Sequence, residues 1–131
     1  MLNVGILGCG PIAQFAHLES CVKAKNARLH AICDSADDLR ERMAAMYQPE
    51  RAFADYDEML ADPALDAVIV ATSDAFHVPA AIRALEAGKH VLCEKPIGTS
   101  VEEGEALAAA VRTSGRVLQV GHMKRFDPAL E

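Results

Sequence analysis

Asn3-Val4-Gly5-Ile6-Leu7-Gly8-Cys9-Gly10-Pro11-Ile12-Ala13 begins as a short apolar run and breaks at once into two glycines around a single cysteine. The run reads as a strand, and Pro11 suits the first position of a helix, where its missing N–H costs nothing. Between strand and helix, Gly8 to Ala13 has the form G-x-G-x-x-A. In that arrangement Gly8 permits the tight turn, Gly10 lets the backbone approach a pyrophosphate, and Ala13 lets helix pack closely on strand. Pro11 and Ile12 form the first helical turn, whose N–H groups and partial positive charge face the phosphates. Glycines between a strand and a helix also occur for purely conformational reasons, so the motif needs a second, independent residue.

That residue is Asp34, which follows Leu29-His30-Ala31-Ile32-Cys33 where the next strand should end. A carboxylate there accepts hydrogen bonds from both hydroxyls of an adenosine ribose and repels a 2'-phosphate. The expected ligand is NAD, with NADP disfavoured. Ser35-Ala36 carries no positive charge, which leaves Arg40 and Arg42 on the following helix as the groups through which a 2'-phosphate would be held.

Short β-rich runs alternate with longer helical stretches along the rest of the chain. The predicted strands are 3–7, 28–33, 51–53, 66–71, 90–93 and 117–120, and the predicted helices are 11–25, 36–46, 56–60, 78–87 and 101–113. Asp55 with Glu58 and Ser100 with Glu103 have capping-box spacing, and Gly88 and Gly115 stand where helices should stop. The pattern predicts an α/β fold: a doubly wound, mostly parallel sheet of the Rossmann type in three layers, α/β/α. Residues 1–121 form the nucleotide-binding domain. Residues 122–131 begin the connection to a second, absent substrate domain, with Asp127-Pro128 capping and starting a new helix. A chain that stops inside a helix reads as part of a longer protein.

With 131 residues and 51% hydrophobic composition, the sequence fills one core and has no room for a second full domain. The net charge of −6 provides no basic field, which argues against nucleic acid or an anionic membrane surface as partner. No apolar run approaches the roughly 20 residues that span a bilayer. Cys9, Cys21, Cys33 and Cys93 stand singly, without zinc-site or disulfide-framework spacing, so no metal is expected and the setting reads as cytoplasmic. Cys9 has two readings, a reactive thiol at a helix N-terminus or a small side chain between glycines.

In an open α/β sheet, ligands bind beyond the carboxyl ends of the strands. Three further loops fall there: Thr72-Ser73-Asp74-Ala75-Phe76-His77, Glu94-Lys95-Pro96-Ile97, and Gly121-His122-Met123-Lys124-Arg125-Phe126. Glu94-Lys95-Pro96, after Ala87-Gly88-Lys89-His90-Val91-Leu92-Cys93, resembles the E-K-P signature of the Gfo/Idh/MocA oxidoreductases. The resemblance covers the whole chain, because the glycine loop, Asp34, the Thr72 loop, Glu94-Lys95-Pro96 and Val120-Gly121 with Arg125-Phe126-Asp127-Pro128 follow the family's order.

The resemblance implies an NAD-dependent oxidoreductase acting on a sugar, polyol or related alcohol. Lys95 would be the catalytic residue, beside the nicotinamide and the substrate hydroxyl, where its ammonium stabilises developing alkoxide character. Pro96 confines Lys95 to extended backbone. The family's T-P-N-x-x-H loop is here Thr72-Ser73-Asp74-Ala75-Phe76-His77. Thr72 and His77 match, Asp74 keeps an acceptor for the nicotinamide ribose, and Ser73 lacks the stiffness of proline. His77 either borders the cofactor or caps the next helix. Glu94 either touches the nicotinamide ribose or fixes its loop, and His122 and Arg125 face either the substrate or the absent domain. That domain would supply the substrate pocket, the usual histidine acid/base and the sheet through which homo-oligomers form. His17, His30 and His90 are predicted away from the crevice and are poor substitutes for that base. The other readings are a stand-alone NAD-binding module and a Rossmann-type binder of S-adenosylmethionine or coenzyme A.

Overall fold

The computed structural model describes residues 1–130, and the side chains of all but Lys124, Phe126 and Leu130 among them. Six strands, β1 (Leu2–Leu7), β2 (Ala27–Cys33), β3 (Arg51–Phe53), β4 (Ala67–Val70), β5 (His90–Cys93) and β6 (Leu118–Val120), form one sheet in the order β3-β2-β1-β4-β5-β6. Every pairing is parallel. The order reverses direction between β1 and β4, the topological switch point where such sheets open a crevice.

Helices cover both faces. On one, α1 (Leu18–Lys23) and α2 (Asp37–Tyr47) bury Leu18, Cys21 and Met43 against Val4, Ile6 and Ile32. On the other, α3 (Tyr56–Leu60), α4 (His77–Glu86) and α5 (Val101–Ser114) bury Met59, Ala84, Leu85 and Leu107 against Val68, Val70 and Val91. Asp55 and Ser100 each accept a hydrogen bond from the N–H three residues on, the predicted caps of α3 and α5.

Simple alternation along β2 is broken once. Val4 pairs with Leu29 but Gly5 pairs with Ala31, so His30 is an extra residue in β2. The insertion flips the faces: Leu29 and Ile32 join the core under α1 and α2, while Ala31 and Cys33 join the opposite one. His30 itself is buried, with Nε2 2.8 Å from Asp62 Oδ2.

Two further departures from expectation matter. The first helix does not run as a uniform α-helix from Pro11: Ala13–His17 is a π turn, in which the Leu18 N–H donates to the Ala13 carbonyl five residues back. At the other end, the predicted helix from Pro128 is replaced by 3-10 turns over Met123–Phe126 and Pro128–Leu130. Asp127 Oδ1 does accept the Ala129 N–H at 3.0 Å, but the backbone takes the tighter i→i+3 pattern. Glu131, placed by the sequence in that helix, lies outside the described residues.

Candidate nucleotide-binding site

Lateral hydrogen bonds draw the strand ends into one row. Gly8 N–H donates to Cys33, Ala71 N–H to Leu7, Glu94 N–H to Val70 and Gly121 N–H to Cys93, all between 2.8 and 3.0 Å. The loops singled out by the sequence therefore emerge side by side.

The two larger cavities along this row share Ile12 and Thr72. The first, about 550 Å³, is lined by Gly8, Gly10, Pro11, Asp34 and Phe76 among others. Gly8 has φ +93°, and a Cβ there would stand 2.7 Å from the Ala71 carbonyl oxygen, so both backbone and space demand glycine. A Cβ on Gly10 would meet nothing within 4 Å. Gly10 is therefore not required by the protein's own packing, and what its missing side chain keeps clear is the floor of the cavity.

Asp34 closes the same cavity. Its Oδ2 accepts the Cys9 N–H and its Oδ1 the Ala36 N–H, each at 2.8 Å. Each carboxylate oxygen retains a lone pair for a hydroxyl donor. Arg40, one of the two cations available for a 2'-phosphate, is committed elsewhere: its guanidinium donates to the Asp34 carbonyl and to Asp37 Oδ1, each at 2.7 Å. Arg42 is exposed. The reactive reading of Cys9 does not hold, because burial, reinforced by the nearby Asp34 carboxylate, pushes its thiol up to about 12.

The second cavity, about 500 Å³, collects Asp74, His77, Glu94, Lys95 and His122 with Thr72. Lys95 is exposed and makes no hydrogen bond or ion pair among the described residues, leaving its ammonium available to a ligand. The Lys95-Pro96 peptide is cis. Asp74 opens a 3-10 turn ahead of α4. Arg125 is exposed and lines neither cavity.

His77 lines this second cavity and does not cap the helix that follows. It is the first residue of α4, its ring caps no N–H there, and the imidazole is 1% exposed. Its Nδ1 lies 2.8 Å from the Pro96 carbonyl oxygen and its Nε2 2.9 Å from that of Thr72. One buried ring thus sits between the loop after β4 and the loop after β5, against a carbonyl oxygen of each.

His17 corrects an expectation outright. Predicted on a helix away from the crevice, it lines the second cavity, with Nε2 2.6 Å from Glu94 Oε1. His17 is the last residue of the π turn, which holds one residue more than an α-turn. The sequence contains a trace of this, since buried Ala13 and Leu18 are five apart where α-periodicity asks for three or four. Among the described residues no group of three or more His, Cys, Asp or Glu side chains is placed to hold a metal ion, and no helix is long and apolar enough to cross a membrane.

Known proteins resemble the chain over nearly its whole length. Residues 2–122 match the family described as an oxidoreductase family with an NAD-binding Rossmann fold, GFO_IDH_MocA. The chain is 35% identical over 128 residues to the scyllo-inositol 2-dehydrogenase (NAD(+)) of Bacillus subtilis, covering 98% of this chain and 37% of that protein. It superposes with a TM-score of 0.91 on scyllo-inositol dehydrogenase from Lactobacillus casei with bound NAD(H) and scyllo-inositol, at 30% identity over 98% of this chain and 38% of that one. A 3-ketoreductase from Actinomadura kijaniata in complex with TDP-benzene and NADP gives a TM-score of 0.92 at 30% identity, covering 98% of this chain and 40% of the other. The chain thus spans little more than a third of the length of these relatives.

Proposed function

Because the chain belongs to the Gfo/Idh/MocA oxidoreductase family, as its NAD-binding Rossmann domain, we propose that it holds NAD along the row of strand ends and serves an alcohol-oxidising enzyme. The adenosine ribose lies on Asp34, the pyrophosphate over Gly8 to Ile12, and the nicotinamide half in the cavity of Thr72, Asp74, His77, Glu94 and Lys95.

The observation that carries this reading is the pairing of an open face over Gly10 with an anchored carboxylate at Asp34 in one cavity. An ordinary strand–helix turn has no need of the first, and the second places a negative charge where a 2'-phosphate would fall. NAD is accordingly the proposed cofactor over NADP, with Arg40 already occupied.

When bound, NAD supplies the acceptor for a hydride leaving an alcohol carbon. The chain's own contribution is electrostatic: the Lys95 ammonium stabilises negative charge developing on the substrate oxygen. Asp74 and Glu94 offer acceptors to the nicotinamide ribose, and His77 keeps their two loops together. For the complete protein we propose oxidation of a sugar, polyol or related small alcohol, by analogy with the inositol dehydrogenases it resembles. In that proposal residues 1–121 are the nucleotide domain and 122–131 lead into a substrate domain, with His122 and Arg125 on the substrate side. The complete enzyme is proposed as a cytoplasmic homo-oligomer, in keeping with four free, buried cysteines.

Calorimetric titration of the chain with NADH, NADPH, S-adenosylmethionine and coenzyme A tests the reading. NADH should bind most tightly. Preference for either of the last two would remove the role given to Lys95, since neither carries a nicotinamide ring.

A further inference from the structure

Glu94 is held from two sides at the floor of the nicotinamide half. His17 Nε2 lies 2.6 Å from its Oε1, with the two side chains 13% and 15% exposed. From the other side the carboxylate fills the space a side chain at Gly121 would need, since a Cβ there would stand 3.2 Å from Oε2 and 3.3 Å from Oε1. The next residue is Lys95.

His17 stands at the end of an irregular stretch of backbone. The turn Ala13–His17 is π-helical, with the Leu18 N–H bonded to the Ala13 carbonyl, so the helix carries one residue beyond its α-helical complement. Phe15, inside that turn, is 89% exposed and so adds little to the core. π turns are rare inside helices and frequent at functional sites, and this one ends on the residue that meets Glu94.

We propose that His17 is a positioning residue of the nicotinamide half: presented by the π turn, its imidazole holds the Glu94 carboxylate against Gly121 and thereby fixes the backbone that carries Lys95. The inference rests on the function proposed above and deepens it. His17 touches no reacting atom. It acts through Glu94, so its removal loosens the half of the site that meets the nicotinamide and leaves the adenosine half, anchored separately at Asp34, as it was.

The test compares two ligands on the same chain by calorimetry: NADH, and ADP, which carries the adenosine and both phosphates but neither the second ribose nor the nicotinamide. His17→Leu, which fills the space without a donor, should weaken NADH roughly tenfold while leaving ADP unchanged. His17→Gln, whose amide can donate to the same carboxylate, should restore most of the loss. Deleting Phe15 removes the extra residue of the π turn and should reproduce the His17→Leu pattern by a separate route. Equal NADH binding by the wild-type chain and His17→Leu overturns the inference, as does an equal loss for NADH and ADP, which would mark His17 as merely structural. If the wild-type chain fails to bind NADH at all, the proposed function falls and takes this inference with it. Wild-type binding without the NADH-specific loss removes the inference alone.

Discussion

The backbone N–H of Cys9 donates to Oδ2 of Asp34 at 2.8 Å, fastening the acid at the end of β2 to the glycine loop at the end of β1. Asp34 therefore has a structural duty beside its proposed ribose contact, and a simple loss of affinity on its removal does not separate them. The two ligands do: in Asp34→Ala, NADH should weaken by about 1.5–3 kcal/mol, the range for hydrogen bonds to a charged group, while NADPH weakens less or gains. Equal losses for both would reduce Asp34 to a loop anchor.

The two motif glycines should fail in different ways. Gly8→Ala forces a side chain into φ +93° and to 2.7 Å from the Ala71 carbonyl, and should lower folding stability by about 1–3 kcal/mol in urea titration. Gly10→Ala meets no protein atom within 4 Å, so its stability should stay within about 0.5 kcal/mol of wild type, yet its methyl would occupy the pyrophosphate floor and abolish NADH binding. A Gly10→Ala chain that binds NADH normally would move the phosphates elsewhere.

His77 is a different kind of site residue, buried between two loops with a ring nitrogen against a carbonyl oxygen of each. His77→Ala should cost about 2–4 kcal/mol through the cavity and the stranded carbonyls, and hydrogen exchange should show Thr72–Asp74 and Glu94–Ile97 loosening together. Loosening of one loop without the other would contradict the clamp.

The extra residue in β2 has a pH signature. The hydrogen bond from His30, with the Ala64 N–H and the nearby Arg51 helping, holds the Asp62 carboxyl below its ordinary 3.8 against the opposing effect of burial. A depressed carboxylate contributes stability that is present above 3.8 and is lost as pH falls through its folded value. Urea midpoints measured from pH 7 down to pH 2 should fall steeply in that acid window for wild type, and less steeply for His30→Ala, which starts from a lower plateau. Parallel curves would show that the pair does not couple to folding.

What the sequence made legible is what local pattern encodes. The glycine loop, the alternating strands, the caps at Asp55 and Ser100, and the loops at the carboxyl ends of the strands depend on residue type and spacing over a few positions. Strand order then brings Gly8, Asp34, Thr72 and Lys95 into one crevice. What it concealed depends on one-residue insertions and distant partners. The extra residue in β2 turns Ala31 and Cys33 to the other core, and the π turn ends on His17, which meets Glu94, 77 positions away. The π turn leaves only the five-residue gap between Ala13 and Leu18 as its trace in the periodic pattern. His77 reads equally as a cap or a ligand, because its two carbonyl partners, Thr72 and Pro96, become neighbours only once the sheet is assembled.

The most direct test of the account is to map which backbone amides shift in the two-dimensional NMR spectrum of the chain as NADH, and separately ADP, is added. The account predicts that ADP moves Gly8, Cys9, Gly10, Ile12 and Asp34, and that NADH moves these together with Thr72, Asp74, Glu94, Lys95 and Gly121. Shifts confined to one cavity with NADH, or centred away from the row of strand ends, would contradict it.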